Sequence, residues 1–348
     1  MRFVRTAVPV LAATLLLSLA RPAAAHDEPT THESKPEPGA VTEEDKEDKE
    51  KHEEEEKEGA EARWEVIADV VLGSTTTKVL SEGRARPTSS RPANVFDSTR
   101  VFATSMLFGV ERHVGERLTF GARIPVVNAE LDSRAGSADS RSAFAAGNFE
   151  LEVGYVLVKR STWNLVGTLE IALPTAGGKE APTREEVAAE PDRRYAYTRY
   201  DRFAAVHAGA AVRGAYESAL FESGNLGLVP KVQANFHLGK ATLSPMVKLE
   251  NLIDLTGDDE VYINELVGGV RASYRATPEI EPGVHLWMRE LHEHSHTDDS
   301  FSTVAVVEPF LRFHLGRLKP TLSVILPFAG DLADAKTYGV RLGAVGEL

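Results

Sequence analysis

The sequence contains His292-Glu293-His294-Ser295-His296-Thr297-Asp298-Asp299, entering a polar stretch from the end of an alternating run. Histidines spaced by two share one face of an extended chain, and imidazole with carboxylate is a donor set for zinc, nickel or copper. His292, His294, His296 and Asp298 are therefore candidate ligands for a divalent metal. A polar loop that merely contains histidines is the plainer alternative. Ser295 lies between two histidines, but neighbours on an extended chain point to opposite sides, so neither is placed to activate it. The sequence has no G-x-S-x-G, no Walker loop and no H-E-x-x-H. With no nucleophile or cofactor motif, the chain is expected not to be an enzyme and to carry no cofactor beyond that metal.

A second set of chemically capable residues recurs along the chain: Glu150, Glu152, Glu170, Lys231, Lys248, Glu250, Arg271, Arg275, Glu281, Arg289, Glu308 and Arg312. Each stands opposite a continuous apolar stripe. In Phe149-Leu151-Val153-Tyr155-Leu157 the other face carries Glu150, Glu152 and Gly154, and Trp163 to Leu173 repeats the pattern against Asn164, Thr168 and Glu170. Period-two alternation broken by Gly, Asp, Ser and Pro signals β-strands. Mixed charges on one face of such strands can hydrate a lumen or cross-pair to close it.

Strand length separates a membrane barrel from a soluble sandwich. Several runs last 11 to 17 residues, whereas sandwich strands have about 5 or 6 and tilted membrane strands need about 9 to 11. Short turns at His113 to Glu116, Lys159 to Ser161, Gly239-Lys240, Thr277 to Glu279 and Gly316 to Lys319 alternate with longer polar connections, the longest being Ala176 to Arg199. This reads as an all-β antiparallel transmembrane barrel. Thirteen runs can be counted, yet a barrel with both termini on one side needs an even number. The expectation is twelve strands, with fourteen the alternative, and the doubtful region is Tyr200 to Leu238. Trp163, Trp287, Tyr155, Tyr197, Tyr200, Tyr274 and Tyr338 are expected to form an interfacial aromatic belt.

Charge divides the chain before any fold is considered. The 348 residues carry 39 Lys plus Arg against 52 Asp plus Glu, a net of −13, and no Cys. Disulfides are impossible, and a nonspecific nucleic-acid binder, which needs a basic face, is disfavoured. Residues 1–25 read as a secretory signal: Arg2 and Arg5, an apolar stretch from Ala7 to Ala20, then Ala23-Ala24-Ala25. Residues 26–62 hold 16 acidic residues and 5 Lys, with Val41 the one sizeable aliphatic. Such a segment has too little apolar surface to offset its ordering entropy and reads as a disordered acidic tail. The barrel is expected over 63–348.

Gly147-Asn148-Phe149-Glu150-Leu151-Glu152-Val153-Gly154-Tyr155, followed by Leu169-Glu170-Ile171-Ala172-Leu173-Pro174-Thr175-Ala176-Gly177, resembles outer-membrane barrels associated with phenol degradation, of the MetA-pathway type. Those proteins carry a Gly-Asp-hydrophobic strand and then a strand ending in Pro-Thr-Gly. Here Asn148 stands where Asp is usual, and Ala176 separates Thr175 from Gly177. The resemblance spans roughly 30 residues closely. It implies an outer-membrane, channel-like protein for small, often aromatic or apolar compounds, and it supplies no catalytic residue.

The function expected is passive passage of a small-molecule solute through a mixed-charge lumen in the outer membrane of a Gram-negative bacterium. The barrel would contact membrane lipid, and its acidic tail would be periplasmic and free to meet a periplasmic partner. The alternatives are a surface metal-binding barrel using residues 292–299 and a closed barrel that anchors or supports.

Overall fold

A computed structural model describes residues 63–76, 100–131, 141–176, 193–222, 224–255, 262–294 and 299–348. The expected signal and acidic tail lie outside the described residues, as do His296 and Asp298.

The strands are β1 (Arg63–Thr76), β2 (Arg100–Val114), β3 (Leu118–Leu131), β4 (Arg141–Ala146), β5 (Phe149–Lys159), β6 (Trp163–Leu173), β7 (Asn225–Leu238), β8 (Ala241–Asp254), β9 (Tyr262–Tyr274), β10 (Ile280–His294), β11 (Asp299–Phe313), β12 (Leu318–Gly330) and β13 (Tyr338–Glu347). Neighbours pair antiparallel around one sheet, and β1 pairs with β13 as well as with β2, so the sheet closes on itself. Closure leaves no edge, the condition for a sheet to stand in hydrocarbon.

Thirteen strands fill twelve positions. Leu118–Arg123 of β3 pair with β5, while Val126–Leu131 pair with β4, so β4 and β5 are two halves of one wall segment broken at Gly147-Asn148. At this break the Gly147 N–H donates to the Pro125 carbonyl at 2.9 Å and the Asn148 N–H to the Leu220 carbonyl at 2.7 Å. The even count expected of a barrel holds, and the fourteen-strand alternative does not.

Sidedness follows from alternation. Glu150 and Glu152 are 3% and 9% exposed, whereas Leu151, Val153 and Tyr155 are 42–45% exposed. The apolar face thus looks outward and the charged face inward, the reverse of a soluble sandwich. Short turns (115–117, 160–162, 239–240, 275–279, 314–317) gather at one end with both ends of the strand sequence, since Glu65 pairs with Glu347. The strand ends at Thr76, Arg100, Leu131, Arg141, Leu173, Asn225, Asp254, Tyr262, His294, Asp299, Gly330 and Tyr338 lie at the other end.

Three sequence expectations are corrected. The described residues from Tyr200 to Gly224 contain no strand: helix α1 (Arg193–Val212) and the 3-10 turn Ser218–Phe221 lie in that stretch, and β7 starts only at Asn225. Tyr197 and Tyr200 therefore lie in a helix, not in a strand-borne belt. Trp287 shares the inward parity of His285 and Arg289 and is 3% exposed, so it belongs to the lumen. Arg275 follows the last residue of β9 and lies exposed in the turn, because the chain leaves the wall one residue earlier. Tyr155, Tyr274 and Tyr338 do face outward and exposed. A one-turn helix α2 (Asp331–Asp334) caps the β12–β13 connection.

Candidate functional site: a lumen closed by an inserted segment

The connection between β6 and β7 folds into the barrel. Its Ala204-Ala205-Val206-His207-Ala208-Gly209-Ala210-Ala211-Val212 stretch favours helix through alanine. Its small side chains let α1 lie against the inner wall of β1 to β4. Ala204, Ala205, Val206, Ala208 and Val212 are fully buried with Val71, Val101, Val127, Val304 and Val306 of the strands. Helix α1 ends where Gly214 adopts φ +73°, with its N–H on the Ala211 carbonyl at 2.8 Å, a left-handed stop that glycine takes without strain.

Beyond that stop, residues 213–222 cross the lumen and bond to walls on different sides. Arg213 is fully buried. Its Nη1 and Nη2 donate to the Asp69 carboxylate of β1 at 2.6 and 2.8 Å, and its Nε donates to Glu217 at 2.8 Å. Burial by itself raises the Glu217 carboxyl, but Arg213 and Arg341 outweigh burial and hold it down at about 2. The Trp287 indole of β10 donates to the Gly214 carbonyl at 3.1 Å. Lys248 of β8 donates to the Tyr216 carbonyl, Arg289 of β10 to the Ser218 hydroxyl at 2.9 Å, and the Ala219 N–H to Glu250 of β8 at 2.9 Å. On the opposite wall, Asn148 Nδ2 donates to the carbonyls of Ala219 and Glu222 at 2.8 and 2.7 Å, while Asn148 Oδ1 accepts from the Ala176 N–H at 2.9 Å.

Around this plug the charges expected in the lumen are brought together as pairs. Arg123 bonds Glu111 at 3.0 Å and Glu152, and stands 3.6 Å from Glu150. Lys231 bonds Glu170, and Lys248 pairs with Glu250 at 2.5 Å. Arg289 lies 3.5 Å from Glu265 and Arg312 lies 3.5 Å from Glu281, whose other oxygen meets His314 at 2.8 Å. Glu308 meets Arg341 at 3.1 Å and accepts from the Ser323 hydroxyl at 2.5 Å. A cavity of about 30 Å³ lies among Arg123, Glu150, Glu170, Lys231, Lys248 and Tyr216, room for water and for nothing larger.

Sequence reasoning had not singled out Asp69, Glu111, Arg123, Arg213, Glu217, Glu265 or Arg341. The wall members among them sit at inward positions of alternating strands and were findable by parity. Arg213 and Glu217 lie in the turn that follows helix α1, where no strand parity applies.

For metals, His292 and His294 are on β10, with His292 Nε2 3.9 Å from Glu290, and the remaining two candidates lie outside the described residues. A different group, Glu65, Glu111 and His113, places three ligand atoms within 4.8 Å of one another near the turn-side end. There Arg63 already bonds Glu65 at 2.9 Å and Arg123 bonds Glu111, which compensates both carboxylates without an ion.

No family model and no curated protein matches this chain. Among solved structures, an outer membrane channel from Pseudomonas putida F1 aligns at 12% identity over 82% of this chain and 95% of its own, with a TM-score of 0.50. The beta domain of a Bordetella autotransporter aligns at 9% identity over 83% and 100%, TM-score 0.44, and the NanC porin at 9% over 81% and 100%, TM-score 0.42. At such identity, the likeness to the Pseudomonas channel is one of fold: a closed antiparallel barrel of the outer-membrane type.

Proposed function

We propose that this chain is an outer-membrane channel of a Gram-negative bacterium that passes small solutes passively and is closed, in this conformation, by residues 204–222. The observation that carries the reading is the combination of an exposed apolar exterior with a charge-lined interior crossed by one segment that is not part of the wall. An apolar exterior of this kind suits membrane lipid. A barrel needed only as an anchor gains nothing from a separate inserted element, whereas a channel gains a gate. Passage requires the segment to shift, because the enclosed space beside it admits only water. The resemblance of Gly147 to Gly177 to phenol-degradation barrels supports small aromatic or apolar solutes. With β1 beginning at the turn end, the acidic tail would enter the periplasm, where its 16 acidic residues suit a basic partner.

The second reading, a permanently closed supporting barrel, draws on the density of ion pairs that hold the segment. Planar-bilayer recording separates the two, comparing the full chain with a variant in which residues 204–221 are replaced by a Gly-Ser linker. The channel reading expects rare openings in the first and steady conductance in the second. A variant that shows the heat-dependent gel mobility of a folded barrel yet never conducts would overturn it.

A further inference from the structure

Each lumen cation described above has a carboxylate within reach: Arg123 with Glu152, Lys231 with Glu170, Lys248 with Glu250, Arg289 with Glu265, Arg312 with Glu281, Arg341 with Glu308 and Arg213 with Asp69. Arg271 of β9 is the exception. Among the described residues it makes no hydrogen bond and no ion pair. Its contact is with the Phe310 ring, whose centroid lies 4.3 Å from the guanidinium carbon, and Arg312 stands 5.8 Å from the same ring. Its ladder neighbours, Ser244 and His285, bring no negative charge.

A guanidinium kept in a barrel lumen without an ion pair of its own costs free energy, and such residues mark solute pathways. We propose that Arg271 is the anchor of a binding site for a small organic monocarboxylate with an apolar body. A guanidinium fork matches a carboxylate through two parallel N–H···O bonds. The Phe310 ring beside the guanidinium favours a ligand with an apolar body, which inorganic phosphate lacks. The nearby acids do not repel the ligand, because Glu281 and Glu308 are already engaged by Arg312, His314 and Arg341. The surroundings of the guanidinium are aromatic: across the ladder from Arg271, His285 packs with Trp287 and Tyr216, ring centroids 4.7 and 5.0 Å away. The inference rests on the channel reading for its purpose.

Isothermal titration of the full chain, folded in detergent micelles and checked by heat-dependent gel mobility, tests it with benzoate, benzamide and phosphate. Saturable benzoate binding is expected, with benzamide and phosphate at least about tenfold weaker, since benzamide lacks the charge for the fork and phosphate lacks the apolar body. Arg271→Gln is expected to weaken benzoate by a similar factor, Arg271→Lys by less, and Arg312→Gln little, because Arg312 is committed to Glu281. Arg271→Gln removes no ion-pair partner and only the contact with the Phe310 ring, so its melting temperature is expected to change little. Absence of saturable benzoate binding in the folded wild type, or equal affinity in Arg271→Gln, overturns the site. Bilayer conductance is scored apart: benzoate binding without conductance in the linker variant sinks the channel and leaves the site, and conductance without binding does the reverse.

Discussion

Gly73 of β1 lies directly across the ladder from Gly339 of β13, and together they leave a notch in the inner wall that Val212 fills. A Cβ at Gly339 would stand 2.2 Å from the Val212 carbonyl oxygen, and one at Gly73 would stand 2.7 Å from the Val212 Cβ. Wall and plug are therefore fitted to each other at the level of single atoms.

Gly339→Ala tests whether that fit keeps the lumen closed. Overpacking costs about 1–3 kcal/mol, which shifts a closed-to-open equilibrium by roughly five- to a hundredfold. Open probability in planar bilayers is expected to rise by that order. Gly268→Ala, where an added Cβ meets nothing within 4 Å, is the control and is expected to behave as wild type. Equal open probability in the two variants would mean that the notch does not hold the plug.

Arg213 is the strongest single tether. Removing one partner of a buried, hydrogen-bonded ion pair costs about 3–5 kcal/mol, because the charges left behind are neither solvated nor paired. In Arg213→Gln, amide exchange over Ala204–Val212 is expected to accelerate while β9 to β12 keep their protection. Arg213→Lys retains the charge but loses the fork to Asp69, and an intermediate rate is expected. Uniform loss of protection across the barrel would show that Arg213 supports the whole fold and not the plug alone.

The strands were legible because a barrel wall obeys one rule, a change of side at each residue, and Glu150, Glu170, Lys231 and Lys248 could be assigned to the inner face from parity. The plug was not legible because it breaks the rule that apolar residues on a membrane barrel face lipid. Val71, Val101, Val127, Val304 and Val306 are fully or almost fully buried inside the wall, in one cluster with α1 and the residues that follow it. Their sequence trace was present: Val70-Val71-Leu72, Val126-Val127 and Val304-Ala305-Val306-Val307 are unbroken apolar runs within otherwise alternating strands. Strands apolar on both faces over part of their length imply an apolar object within the lumen. The alanine-rich stretch before Val212 was the remaining candidate for that object.

Asn148 occupies a position where the resembled family has Asp, and its surroundings explain the amide. Its Nδ2 faces two carbonyl oxygens, those of Ala219 and Glu222, while its Oδ1 accepts an N–H. A carboxylate can only accept, so Asn148→Asp would set a charge against both carbonyls in a fully buried site. The expected loss is about 2–4 kcal/mol of plug docking, read as faster exchange at the Ala219 and Leu220 amides. Asn148→Ala leaves the same carbonyls unsatisfied without adding charge and is expected to be milder. A neutral outcome for Asn148→Asp would show that water or a bound proton serves these carbonyls in its place.

Acid is expected to loosen the plug through Glu217. Its carboxyl is held at about 2, below the usual carboxylate value near 4.5, despite burial, by Arg213 and Arg341. A lowered value in the docked state means that docking favours the ionised form. The stabilisation is therefore complete above about 4.5, falls as pH drops through the window between about 4.5 and 2, and is gone below it. Channel openings recorded at pH 7, 5.5 and 2.5 are expected to be similar at the first two and more frequent at the third. In Glu217→Gln the step between pH 5.5 and 2.5 should shrink, with openings already frequent at pH 7 because Arg213 has lost one of its two anions. Persistence of the full acid response in Glu217→Gln would assign it to another carboxylate in the lumen and remove Glu217 from the gate.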